Sequence, residues 1–71
     1  MNEIICRHAS SDFNCLMTAQ GMEDAGCSVI SITIDHGAPQ PMQWIVWGRY
    51  KPGKTSPEQI DQSIIKRLYP D

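Results

Sequence analysis

One segment of this chain has the spacing of a phosphate-binding loop. Residues 48–55 read Gly-Arg-Tyr-Lys-Pro-Gly-Lys-Thr and fit the pattern G-x-x-x-x-G-K-[ST]. In such a loop, backbone N–H groups surround a phosphate, the lysine contacts its oxygens and the Ser/Thr hydroxyl binds magnesium. The pattern requires a strand before it and a helix after it, and both are predicted here. Nucleotide binding through residues 48–55 is therefore one candidate function.

Three features favour a structural role for this match. Phosphate-loop NTPases need a larger parallel sheet and a second acidic residue on another strand, and 71 residues leave no room for them. The next helix is predicted to begin at residues 56–57, later than a phosphate loop requires. The preceding strand is predicted to be antiparallel to its neighbour. We therefore interpret residues 52–53 as a turn, with Lys54 and Thr55 solvated.

Cysteine and histidine side chains offer metal or nucleophilic chemistry, but their spacing supports neither. Structural zinc sites usually pair ligands at short spacings such as C-x2-C, and Cys6, Cys15, Cys27, His8 and His36 contain no such pair. Cys15 stands near a helix start, which can lower a thiol pKa, but nothing in the sequence brings a histidine base to it. We expect no enzyme activity, no catalytic or metal-binding residue and no cofactor.

Aromatic and basic side chains alternate along one predicted strand and the turn after it. This group comprises Trp44, Trp47, Arg49, Tyr50, Lys51 and Lys54. Trp, Tyr and Arg are enriched at protein interfaces, so we predict that these residues bind a protein partner or a second copy of the chain. Because aromatic faces also stack on bases while cations follow phosphates, a single-stranded nucleic-acid binder is the alternative. Trp44 and Trp47 are three residues apart, however, and should point to opposite faces of a strand.

Length and composition limit the elements that can position these groups. A chain of 71 residues, 41% of them apolar, predicts a single small domain over residues 1–71. The formal charge of -2 argues against a duplex-DNA binder. The longest apolar run, residues 44–47, is too short to cross a membrane. With no secretory leader and three cysteines, we expect a cytoplasmic protein with free thiols and no disulfides.

Hydrophobic patterns and turn residues predict five elements. In order they are a strand at 3–8, a helix at 13–25, strands at 29–35 and 42–51, and a helix that Ser56, Pro57 and Gln59 begin and Pro70 ends. A helix joins the first two strands, which should run parallel, and a hairpin joins the last two. With the third strand in the centre, the fold is α+β, a β-α-β-β-α chain with sheet order 1-3-2, known as a split β-α-β unit.

Several details remain open at this level. The second strand should place Ile30, Ile32 and Ile34 on one face and Val29 on the other. Gly21 interrupts the first helix, so that helix either packs closely on the sheet or is weak there.

If both helices cover one sheet face, apolar residues of the third strand are exposed on the other. If they cover opposite faces, no such patch exists.

The helix-to-strand junction at residues 22–32 ends its helix at Gly26 and continues at once as a strand. From Asp12 to Tyr50, the chain resembles the DUF4177-type proteins, short strand–helix–hairpin chains of unknown function, in which Trp usually follows this glycine. Cys27 takes that place here. The resemblance implies a fold and no activity. By analogy with small stand-alone bacterial and phage proteins, we expect a regulatory, inhibitory or self-associating binding module.

Overall fold

The computed structural model describes residues 1–70, and its elements follow the predicted order. They are β1 (Glu3–Ala9), α1 (Asp12–Asp24), β2 (Ser28–Ile34), β3 (Trp44–Tyr50) and α2 (Pro57–Leu68). The α+β prediction is confirmed, and the boundaries agree within two residues. The third strand begins later than predicted because the N–H groups of Met42 and Gln43 donate to Pro39 and Pro41 within the preceding loop.

The sheet has the order β1-β3-β2, with β3 in the centre. Both outer strands pair antiparallel to β3 and therefore run parallel to each other, as the split β-α-β arrangement predicts. Gly48 lies at the middle of the sheet, opposite Ile5 on one side and Val29 on the other. This register assigns every residue of β3 to one of the two faces.

A β-bulge in β2 changes the predicted alternation. Val29 pairs with Gly48 and Ser31 with Trp47, so Ile30 is an extra residue between two consecutive positions of β3. An extra residue in a strand shifts the alternation of its side chains, so that residues on the two sides of the bulge no longer follow one regular alternation between the faces of the sheet. Val29 consequently shares a face with Ile32, which pairs with Val46, and packs against the core. The prediction that Val29 faces away from Ile32 is wrong for this reason.

Both helices lie on the same face of the sheet. A single core cluster joins Val46 of β3 to Met22 of α1 and to Ile60 of α2, each fully buried. The molecule measures 15 Å in its thinnest direction. A helix on each face would require three layers, and one helix alone is about 10 Å across. Among residues 1–70, no helix covers the second face of the sheet.

The two helices approach each other most closely at Gly21. A Cβ atom at this position would lie 2.5 Å from the Cα of Ile64 and 2.9 Å from the carbonyl oxygen of Ser63. Gly21 therefore allows α1 to contact the backbone of α2. The prediction that α1 packs closely on the sheet at Gly21 is wrong, because the close neighbour is α2.

The helix ends follow the capping signals in the sequence. The side chain of Ser11 accepts a hydrogen bond from the N–H of Asn14, and Gly26, with φ of +91°, follows the end of α1. Ser56 and Gln59 exchange the two hydrogen bonds of a capping box at the start of α2, and Pro57 occupies the first turn. The predicted start of this helix is confirmed.

Candidate functional site

The first glycine of the phosphate-loop match lies inside the sheet. A Cβ atom at Gly48 would come within 2.5 Å of the Cys27 sulfur and 2.6 Å of the Met22 methyl carbon. The position therefore needs glycine because two side chains pack directly on the backbone of β3. This requirement is independent of any phosphate.

The turn after β3 uses the backbone groups that a phosphate loop would present to a ligand. The N–H groups of Lys54 and Thr55 both donate to the carbonyl oxygen of Lys51 at 3.1 Å. Gly53, with φ of +95°, allows this tight turn. These two amides are therefore not free to surround a phosphate.

The hydroxyl of Thr55 also has an internal partner. Thr55 is 8% exposed, and its Oγ1 donates to the carbonyl oxygen of Ala25 at 2.8 Å. It thereby satisfies one of the carbonyls left without an intrahelical partner at the end of α1. The prediction that Thr55 is solvated is wrong because the turn folds against α1, whereas Lys54 is exposed as predicted. The last hydroxyl of the match is not available to a magnesium ion.

A shallow cavity of about 310 Å³ opens beside this turn, between the end of α1 and the face of α2. Its lining residues are Asp24, Ala25, Lys54, Gln59, Gln62, Ser63 and Lys66. None of the seven is buried. The pKa of Asp24 is lowered because Arg67 donates two hydrogen bonds to its carboxylate, at 2.6 and 2.9 Å. The cavity is thus a solvated recess beside an ion pair.

The three cysteines differ in burial: Cys6 is partly exposed, whereas Cys15 and Cys27 are buried. Cys15 is 4% exposed, and burial, together with the nearby charge of Asp12, raises the pKa of its thiol. This direction is opposite to the lowering of a thiol pKa that a helix start can produce. Burial also raises the pKa of the Cys27 thiol. All three cysteines are free, and within residues 1–70 no three Cys, His, Asp or Glu side chains are grouped as a metal site.

The six aromatic and basic residues predicted to bind a partner are divided between the two faces and the turn. Trp44 and Tyr50 lie on the helix-covered face, where Trp44 packs against the core cluster and Tyr50 is 8% exposed. Trp47 and Arg49 alternate with them and lie on the opposite face. Lys51 and the exposed Lys54 belong to the turn.

The uncovered sheet face, which we call the open face, is built from all three strands. Its residues, assigned from the register, are Ile4, Cys6 and His8 of β1, Ile45, Trp47 and Arg49 of β3, and Ser28, Ser31 and Thr33 of β2. The Trp47 indole nitrogen donates to the Thr33 hydroxyl at 2.8 Å, which orients the ring toward β2. Ile45 is 8% exposed although it lies outside the core cluster. The open face is thus partly apolar and centred on Trp47.

The open face carries a positive charge. Arg49 is exposed at one end, beside Ile4 and Ser28, and His8 is exposed near the other end. None of the nine residues is acidic. Glu3 and Arg7 point to the helix-covered face, where Arg7 pairs with Asp61 of α2 at 2.6 Å. The open face therefore presents a cation without a neighbouring carboxylate from its own strands.

Sequence reasoning had not assigned the contributions of β1 and β2 to this surface. Ile4, 55% exposed, and the partly exposed Cys6 flank Arg49 and Trp47 across the ladder. The alternation of β1 identifies its two faces, but which of them is covered depends on the position of the helices. No pattern within β1 predicts that position.

Searches against family models, curated proteins and solved structures find no match to this chain. The resemblance to DUF4177-type proteins stays a prediction. Neither helix in the described part of the chain has the length and apolar character needed to cross a bilayer.

Proposed function

We propose that this chain is a small, non-catalytic protein-binding module that regulates or inhibits a protein partner held on its open face. One observation carries the proposal: both helices pack on the same side of the sheet, and the side without them bears Trp47 and Arg49. Tryptophan and arginine are the residue types that most often dominate binding energy at interfaces. The serine and threonine side chains of β2 supply a polar rim.

The chemistry of the open face favours a partner with an acidic patch next to an apolar one. Arg49 requires a carboxylate or a carbonyl opposite it, and Trp47 requires an apolar pocket for its ring. Three strands of seven residues present a flat area of only about 300 Å², below the roughly 800 Å² per partner of a standard interface. We therefore expect the contact to extend to Lys51 and Lys54 in the turn, or to be transient.

Single-stranded nucleic acid is the other class of partner that this surface suggests. Successive bases stack on several aromatic residues along a basic groove, whereas Trp47 is the one aromatic side chain of the open face. Protein binding is therefore the function that we propose, and nucleic-acid binding is an outcome that the experiment detects.

Pull-down from the source cell with matched variants tests the proposal. Trp47→Ala and Arg49→Glu should each lose a protein that the unmodified chain captures, with a loss of affinity of roughly 30-fold for the tryptophan. Tyr69→Ala and Lys66→Glu are the controls, since both residues are exposed on the helical side and should retain the same protein.

The bound proteins are identified by mass spectrometry, with and without nuclease, and each variant is first shown to be folded by circular dichroism. Retention of the same partner by both open-face variants would exclude the open face. A capture that nuclease abolishes, and that weakens steeply with salt, would replace the proposal with nucleic-acid binding.

A further inference from the structure

The two edges of the sheet differ in how they are protected against pairing with another strand. Edge strands normally carry charges, proline or bulges that prevent edge-to-edge association. β1 carries Glu3, Arg7 and His8 and is tied to α2 by the Arg7–Asp61 ion pair. β2 reads Ser-Val-Ile-Ser-Ile-Thr-Ile, without a charge or a proline, and every residue except Val29 is exposed. Its bulge lies at one end and leaves Ser31–Ile34 regular.

An apolar strip runs along the same edge on the helix-covered face. Ile32 and Ile34 of β2 are 47% and 48% exposed. Leu16 of α1, 52% exposed, is about 140° around the helix from Gly21, which faces α2. Asp61 of α2 pairs with Arg7 of β1, whereas α1 contacts β2 as well as the other two strands, so the side of α1 away from α2 faces the β2 edge. Leu16, Ile32 and Ile34 therefore border one unprotected edge.

We propose that two copies of the chain associate through β2, antiparallel, to form a continuous six-stranded sheet. A two-fold axis perpendicular to the sheet at Ile32 pairs Ile32 with its copy and Ser31 with Thr33, all within the regular part of β2. Isoleucine then lies beside isoleucine and hydroxyl beside hydroxyl, which are favourable cross-strand pairs. The unpaired N–H and C=O groups on the outer side of β2 gain partners, and the two apolar strips approach each other across the axis.

A second copy fits this edge better than an unrelated strand because the sequence of β2 is complementary to itself when reversed about Ile32. Such an association is closed, since the outer edges of the dimer are the two charged β1 strands. A chain of this size buries only about 60% of its unfolded surface, so additional burial would stabilise it considerably. Both open faces lie on the same side of the dimer. The pairing does not rest on the proposed partner binding.

The molar mass in solution tests this pairing. Light scattering after size exclusion, over about 10 µM to about 1 mM, should give a mass approaching twice the 8.0 kDa of one chain. Ile32→Lys places two like charges opposite each other at the axis and should give the mass of one chain throughout. Ile65→Lys is the matched control: it alters an isoleucine of similar exposure, 54%, on α2 and should remain dimeric.

A cysteine variant tests the pairing of the two β2 strands if Ile32→Lys does not fold. Directly opposed residues of an antiparallel pair have Cβ atoms about 5 Å apart, so Ile32→Cys should form a disulfide between copies under mild oxidation, and Ile65→Cys should not exceed the background of the unmodified chain. A monomer at about 1 mM, a dimeric Ile32→Lys variant, or equal cross-linking at both positions would overturn the pairing. Loss of the dimer with the partner of Trp47 retained would leave the proposed function intact.

Discussion

The hydroxyl of Thr55 is used inside the molecule, where it donates to Ala25 at the end of α1. Gly48 is likewise needed because Cys27 and Met22 pack on its backbone. Both residues satisfy the phosphate-loop pattern by type and spacing, but their neighbours on and beside α1 determine their roles. Such neighbours are distant in sequence, so spacing alone cannot distinguish a ligand-binding loop from a hairpin that leads into a capped helix.

The three cysteines give a prediction at the scale of single side chains. Cys6 on the open face should react first with iodoacetamide at about pH 8, while Cys15 and Cys27, 4% and 2% exposed, should react only after unfolding. Burial blocks access to these two thiols and raises their pKa values, which lowers their thiolate fraction. Peptide mass spectrometry after timed labelling measures each site.

Labelling in about 6 M guanidinium chloride is the control, because an unfolded chain should expose all three sites similarly. Equal labelling of Cys15 and Cys6 in the native protein would show that the core around Cys15 opens readily.

At the scale of elements, the packing of α1 on α2 depends on Gly21, which has no side chain. Helix α1 contacts both the sheet and the second helix: Met22 packs on Gly48 of β3, and Gly21 lies against Ile64 of α2. Because α1 has two neighbours, its apolar residues are not confined to one face of the helix. The apolar residues of α2, by contrast, form one regular stripe in which Ile60 and Ile64 are buried. A helix with two partners does not need a single hydrophobic face.

Gly21→Ala should therefore destabilise the protein, although alanine normally favours a helix by up to about 1 kcal/mol relative to glycine. The new methyl group would overlap the backbone of Ile64, and such overpacking costs about 1–3 kcal/mol. The midpoint of urea unfolding should fall accordingly.

Gly37→Ala is the matched control for this substitution. A Cβ atom there would lie 3.4 Å from Asp35, an ordinary contact, so the unfolding midpoint should change little. A Gly21→Ala variant as stable as the unmodified protein would contradict the close approach of the two helices.

At the scale of the whole molecule, one layer of helices on one layer of sheet leaves much apolar surface exposed. Besides Ile32, Ile34 and Leu16, the exposed large apolar residues include Ile4 of the open face and Phe13 of α1. Both proposals follow from this two-layer arrangement: a partner on the open face and a second copy at the β2 edge.

Association of the folded chain should make thermal stability depend on concentration. If β2 pairs with its copy in the native state alone, dilution favours unfolding by mass action, so Tm should rise with protein concentration. Differential scanning calorimetry at several concentrations measures this. The Ile32→Lys variant should have a Tm independent of concentration, and a constant Tm in the unmodified chain would contradict association in the native state.

Local signals determined much of this protein. Capping residues, alternation and helical spacing predicted all five elements and the hairpin, because each depends on residues close together in the chain. The predicted central position of β3 is confirmed as well, although it depends on pairing with β1, which is distant in the chain. The tertiary structure alone decided three matters: the phase of β2, which its bulge shifts; the partner of Gly21, which is α2; and the common side of both helices. Each is a contact between residues far apart in sequence, for which two packings satisfy the same local pattern. The position of both helices on one side of the sheet covers Trp44 and Tyr50 and leaves Trp47 and Arg49 on the other face, where a partner can reach them.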